Sequence, residues 1–319
     1  MISCTEFIPL YSEFFKYLAK RGGGDDAVME YWIHLSDTSI GDKTNPNSMA
    51  SKCEELGGWL GARAYWGHTT SEEACDVYSI LNEKEQYSFS IMRYCPSKGI
   101  LNSLTHVEPY HNYCEHCKII YSRVLEKYGM VYERDHSEID KARCSSILYR
   151  EGHKPDFDYT KPTPDCKVSD VKRQGNSKYL HRDFHLIADN ALCYCADKYG
   201  DEAVCEFLDG YARAYYAPII DTFKTGGLAA VEAWLTKIYT VEEASELLHT
   251  ELTDGELRVR IDKSPVIEYM HTLGKEPSRH YREETATLYA SMADEAGLGF
   301  SLDKYNDKTG EAEYRFFVK

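Results

Sequence analysis

The feature that most constrains this chain is an internal repeat. Glu108-Pro109 recurs as Glu276-Pro277, an offset of 168 residues (276 − 108). From there the two stretches run in step without a gap: Tyr113 with Tyr281, Glu115 with Glu283, Tyr121 with Tyr289, Gly129 with Gly297, Asp135 with Asp303. Upstream anchors keep the same order. Gly24-Asp25-Asp26-Ala27-Val28 resembles Gly200-Asp201-Glu202-Ala203-Val204, Glu72-Glu73-Ala74 resembles Glu242-Glu243-Ala244, and Phe89-Ser90-Ile91 resembles Leu257-Arg258-Val259. Ordered anchors at one period mark a duplicated unit. A chain built this way folds as two similar halves.

The local patterns describe what each half contains. Apolar positions at helical spacing over 7–20 predict a helix, stopped by Gly22-Gly23-Gly24. Asp25-Asp26 opens the next one, where the helix dipole favours acidic residues. Helical periodicity runs to about 60 and again over 70–82. Tyr87–Tyr94 alternates at period two and predicts a strand. A short helix near 97–104, a longer one over 109–128 opened by Pro109, and two closing strands from 131 and 143 complete the half. Helices beside antiparallel strands define an α+β class. We expect residues 1–150 as the first repeat, 151–178 as a polar, proline-containing linker, and 179–319 as the second repeat. The two are expected to pair about a pseudo-twofold as a fused dimer, in a monomer with an internal pseudo-dimer or in a homodimer.

A net charge of −15, with no basic cluster longer than two residues, argues against nucleic acid as partner. No apolar run approaches 18 residues and the first residues lack a basic-then-apolar leader, so no membrane partner and a cytoplasmic location are expected. Eleven cysteines without an export signal do not form a disulfide framework. Cys4, Cys53, Cys75, Cys193 and Cys205 lie among apolar residues and read as small core hydrophobes.

The chemistry concentrates at 106–117, which holds His106, Glu108, His111, Cys114, Glu115, His116 and Cys117. Residues three or four apart on a helix are neighbours, so His111 can meet Cys114 or Glu115, and Cys114 can meet Cys117. At an offset of 168, Cys95, Cys114, Cys117 and Cys144 correspond to Lys263, Arg282, Thr285 and Ala312; His111 and His116 correspond to Arg279 and Glu284. The tyrosine and glycine frame survives in the second half while all four thiols are gone. Residues that act as one unit are lost together. Zinc ligation, a nucleophile of lowered pKa, a redox pair and plain packing are all compatible with such thiols. Elsewhere, His181 and His185 stand at i, i+4, and Tyr211, Tyr215 and Tyr216 share one helix. The glycine clusters lack any nucleotide-binding context.

The runs Arg93-Tyr94-Cys95-Pro96, Tyr113-Cys114-Glu115-His116-Cys117 and Ala142-Arg143-Cys144 resemble the L-2-amino-thiazoline-4-carboxylic acid hydrolase family over about 60 residues. On that resemblance Cys95, Cys114 and Cys144 are the matching positions. Glu115, His116 and Cys117 stand where the family has an acidic residue after its second cysteine, and the family's glycine before the last cysteine is absent. The resemblance implies hydrolysis at a small C=N or C–N carbon, with a small molecule as partner. Cys114 would be nucleophile or metal ligand, with His111 as base and Glu115 beside them. Arg93 or Arg143 would hold a carboxylate, and Tyr113 would line the site. Zinc on Cys95, Cys114, Cys117 and Cys144 is a candidate cofactor. A more distant resemblance to vinyl-4-reductase-type ligand-sensing domains gives the alternative of a non-enzymatic small-molecule or zinc-binding protein.

Overall fold

The computed structural model describes residues 1–156, 167–171 and 179–319. The chain divides into two compact units. One comprises Leu18–Thr105 and Pro109–His181; the other comprises Met1–Tyr17, His106–Glu108 and Arg182–Lys319. The opening helix α1 (Phe7–Gly22) thus begins in the second unit and ends in the first. Among the described residues no helix is long and apolar enough to cross a membrane.

The first unit continues with α2 (Asp25–Leu35), a π turn at Ser36–Ile40, α3 (Met49–Leu56) and α4 (Gly58–Glu72). Then come β1 (Asp76–Asn82), β2 (Tyr87–Tyr94), α5 (Pro96–Ser103), α6 (Glu115–Glu126), β3 (Met130–Asp135) and β4 (Cys144–Arg150). Within the stretch expected as linker, Lys167–Val171 forms β5, which pairs with β1. The remaining parts of 151–178, at 157–166 and 172–178, lie outside the described residues. The sheet is antiparallel in the order β3-β4-β2-β1-β5.

The second unit repeats the plan: α7 (Asp183–Tyr199), α8 (Asp201–Tyr215), α9 (Ala217–Val241), β6 (Leu248–Leu252), β7 (Glu256–Ile261), α10 (Pro265–Thr272), α11 (Glu283–Glu295), β8 (Leu298–Tyr305) and β9 (Ala312–Val318). Its sheet order, β6-β7-β9-β8, is the first sheet's without the added strand. The fold is α+β, in two similar units.

Two expectations from periodicity change. Helix was expected over 70–82, yet α4 stops at Glu72 because Ala74 adopts a left-handed backbone (φ 62°), after which Val77, Tyr78 and Ile80 suit a strand. A helix was expected from 109, yet α6 starts at Glu115. Tyr110, His111 and Asn112 all bond the Asp25 carboxylate, which holds 110–112 as a loop against the start of α2.

The sheet register also corrects the repeat alignment. Ser88 pairs with Leu148, and Leu257 pairs with Phe316. Since 148 + 168 = 316, Leu257 stands where Ser88 does, and Phe89 corresponds to Arg258. A slip of one residue turns every side chain to the other face. By the same count Cys95 and Ser264 both precede the first residue of a proline-led helix, so the counterpart of Cys95 is Ser264 rather than Lys263.

This register exposes a difference in filling. On the helix-facing side of the second sheet lie Leu257, Val259, Ile261, Ala312, Tyr314 and Phe316, all buried. Tyr289 of α11 packs on Phe300, Tyr314 and Phe316. The matching positions of the first sheet are Ser88, Ser90, Met92, Cys144, Ser146 and Leu148. Its apolar side is the opposite face, where Ile80, Tyr87, Phe89, Ile147 and Tyr149 form a buried cluster. We predict that Phe316→Ala lowers the unfolding free energy by about 3–5 kcal/mol, read from the urea midpoint, as for a core aromatic truncation.

Candidate functional site

The helix-facing side of the first sheet looks onto α4 and α6: the Tyr132 ring packs on Trp66 of α4 (4.8 Å) and on Tyr121 of α6 (6.1 Å). Around it Ser90, Ser146, Arg134, Cys144, Cys95, Cys117, Tyr121 and Trp66 are half-buried rather than sealed. The second unit has Val259, Tyr314, Leu302, Ala312, Ser264, Thr285 and Tyr289 at seven of these positions. There the chain's own first residues fill the place. The Met1 amine donates to Tyr289 Oη (2.8 Å) and Thr285 Oγ1 (3.3 Å), and the Ile2 N–H donates to Glu284 (3.2 Å). One frame therefore carries half-buried polar and thiol side chains in the first repeat, and in the second buried aromatic ones around a small cavity lined by Met1, Thr285, Tyr289 and Tyr314.

The first turn of α6 arranges the reactive groups. His116 Nδ1 lies against the Tyr113 carbonyl oxygen, which can only accept, so the proton sits on Nδ1. That leaves Nε2 as an acceptor, 3.3 Å from Cys117 Sγ. Burial lowers the His116 pKa to about 4, against a smaller raising effect of the Tyr113 bond, so the imidazole is neutral at pH 7. Burial raises the Cys117 thiol, while Arg134 opposes the rise through its charge and a hydrogen bond. A thiol, an imidazole acceptor and a group orienting that imidazole form the nucleophile–base–orienter series used in acyl-transfer sites.

Arg134 stands on β3 beside the thiols. Its Nη2 donates to Cys144 Sγ (2.8 Å) and its Nη1 to Tyr132 Oη (3.1 Å). Its Nε is shut off from solvent and has no partner among the described residues. The other thiols are neutral as well. Burial pushes Cys114 up to about 12, with Lys98 and Arg134 acting against it, and raises Cys95 and Cys144. Glu73, at the end of α4, is raised by burial and accepts a bond from Ser97 (3.3 Å).

The residues singled out from sequence fare differently. Cys114 lies half-buried at the cap of α6. Glu115 accepts from His136 Nδ1 (2.8 Å), and the other ring nitrogen, Nε2, is buried with no partner among the described residues. His111 is 64 % exposed and pairs with Asp25 at 3.0 Å. Its counterpart Arg279 makes the same tie to Asp201 at 2.8 Å, so this contact fastens a loop to a helix start in both repeats. Tyr113 is buried and supplies the carbonyl for His116. Arg93 is taken up by Asp76 (2.7 Å), and Arg143 is exposed. His181 bonds Glu72 while His185 bonds Glu242, in different units, so they form no chelating pair.

The four thiols proposed for zinc are not drawn together as a ligand set among the described residues. A ligand set brings three donor atoms within 4.8 Å of one another, and among the described residues these sulfurs are not so grouped. Zn–S bonds of about 2.3 Å need that crowding. Cys144 and Cys117 already serve a guanidinium, a cation set where a metal ion would be repelled.

Sequence reasoning passed over His116 as base, Arg134 and His136. The signal was there: His116 becomes Glu284 and Arg134 becomes Leu302 at the same offset at which Cys117 becomes Thr285.

No protein-family model, no curated protein and no solved structure matches this chain.

We predict that His111→Ala changes stability by less than about 1 kcal/mol, as expected of an exposed ion pair. The rate at which iodoacetamide labels Cys117, followed by peptide mass spectrometry, is expected to stay unchanged.

Proposed function

We propose that the first repeat is a hydrolase of a small amidine-like C=N or C–N compound, of the 2-aminothiazoline-carboxylate kind. Cys117 is the nucleophile and His116 its base. One observation carries this reading: Cys117 Sγ lies 3.3 Å from a histidine nitrogen whose acceptor role is dictated by the Tyr113 carbonyl. At rest both groups are neutral, so the proton leaves sulfur only as sulfur attacks carbon. Cys117 adds to the amidine carbon, and its proton passes through His116 to the departing nitrogen, which leaves as the amine. Water then adds to the thioimidate carbon, giving up a proton to His116. The C–S bond breaks, the sulfur recovers that proton, and the product is an amide. One water is consumed and one C–N bond is cleaved. Arg134 steadies the sulfur whenever it carries charge. His136, held by Glu115, is a second imidazole for moving the departing nitrogen's proton.

A second reading, small-molecule binding without chemistry, draws on the upward shifts of all the site's thiols. The two separate on assay with 2-aminothiazoline-4-carboxylate. We predict that Cys117→Ser and His116→Gln each lower kcat/KM by about 10²-fold or more, within the usual worth of a nucleophile or general base. Cys114→Ser is expected to retain activity within tenfold. Equal losses in Cys114→Ser and Cys117→Ser would move the nucleophile to Cys114; no turnover by the wild-type protein at any pH would leave the binding reading.

A further inference from the structure

The guanidinium of Arg134 has no counter-ion among the described residues. Among the described residues no carboxylate ion-pairs with it; it bonds the Cys144 and Cys117 thiols and the Tyr132 hydroxyl. Neutral sulfur and phenol accept hydrogen bonds but do not cancel a charge. Burial keeps both neighbouring thiols, Cys117 and Cys144, protonated at pH 7. A half-buried cation left in this state is costly unless something neutralises it, because arginine does not give up its proton.

The surroundings suit an incoming acceptor. Arg134 pairs across the ladder with Ser146, Ser146 with Ser90, and Ser90 with Ser79. Register partners share a face, so three hydroxyls stand in a row from the arginine along the sheet. Ser90 and Ser79 hydroxyls bond each other at 3.1 Å, while Ser146 is half-buried and bonds the Tyr132 hydroxyl. The second repeat shows what the same frame does without this role. Arg134 becomes Leu302, Ser146 becomes Tyr314 and Ser90 becomes Val259, so neither the cation nor the two hydroxyls is present there.

We propose that Arg134, with Ser146 beside it on β4, is a binding site for a singly or doubly charged oxyanion carried by a small planar ligand. The buried, unpartnered Nε and the serine hydroxyl are its donors, and the rings of Trp66, Tyr121 and Tyr132 form the wall that takes the ligand's body. This site lies beside the Cys117–His116 pair, but it does not require that pair to react: the anion binds whether or not the thiol attacks. A carboxylate and a phosphate share the chemistry that a guanidinium edge recognises.

The test compares thermal unfolding of the full chain and its Arg134→Met variant. Three probes are added: pyrrole-2-carboxylate, inorganic phosphate, and neutral pyrrole-2-carboxamide. The difference between the two proteins removes the general effect of salt on stability. Without a probe, Arg134→Met is expected to melt at the same temperature or higher, since an uncompensated charge has been replaced by an apolar chain of similar length. With a probe, wild-type protein is stabilised and the variant is not, with an apparent Kd at least tenfold weaker in Arg134→Met. Pyrrole-2-carboxylate ahead of phosphate marks a carboxylate ligand, and the reverse order marks a phosphate; either supports the site. Stabilisation by the carboxamide equal to that by the carboxylate overturns it, as does a wild-type protein that no anion stabilises more than the variant. An Arg134→Met variant too unstable to fold overturns it as well, because the arginine is then structural. Cys117→Ser keeps these failures apart from those of the hydrolase reading: retained anion binding with no turnover in the wild type removes the chemistry and leaves the site.

Discussion

A charge taken out of water must be answered, and in the first repeat the charge is Arg134. It is placed on a strand face that in the structurally similar second sheet carries leucine, tyrosine and valine. The rest of the site follows from that substitution. The serines at 90 and 146 leave room and acceptors where the other repeat packs Val259 and Tyr314. The thiols of Cys117 and Cys144 give the guanidinium soft hydrogen-bond partners without neutralising it. The hydrophobic core of the first sheet lies on its opposite face, around Phe89 and Ile147. On its helix-facing side the first sheet sets Ser90, Ser146, Arg134 and Cys144 among the buried Met130, Tyr132 and Leu148, whereas the second fills the matching positions with aliphatic and aromatic side chains.

The two repeats are best compared as one scaffold under two demands. The second uses its helix-facing side for stability. Tyr289 packs on Tyr314 and Phe316, and Met1 and Ile2 bond Tyr289, Thr285 and Glu284 with three hydrogen bonds. The first keeps reactive groups at those places. Loop ties that serve both repeats are preserved in kind, as the pairs His111–Asp25 and Arg279–Asp201 show. That conservation of role is why His111, attractive by its position beside Cys114, belongs to the frame rather than to the chemistry.

Much of this was legible in the sequence, and the failures have physical causes. The two similar units, the α+β class and the strand at Tyr87–Tyr94 could all be read from pattern and order. The helix over 70–82 could not be excluded, since periodicity gives no warning that Ala74 turns into a left-handed backbone. The helix from Pro109 failed because the Asp25 carboxylate, 85 residues away (110 − 25), competes for Tyr110, His111 and Asn112. The alignment of Phe89 with Leu257 was wrong by one residue, enough to hide that Ser88 and Ser90 are the helix-facing residues there. His116 was visible all along, but its value depends on a backbone carbonyl that fixes which nitrogen is free. Arg134 and His136 were hidden on a strand read as plain structure.

The central claim is that His116 is a neutral imidazole with its proton on Nδ1 and its Nε2 turned to Cys117. The 15N spectrum of histidine-labelled protein, followed across pH with His116 assigned through His116→Gln, tests this directly. The account predicts a neutral Nδ1–H form at pH 7 that becomes charged only near pH 4, with Nε2 shifting in Cys117→Ser. A His116 that titrates near the ordinary histidine pKa of about 6.5, or that carries its proton on Nε2, would contradict it.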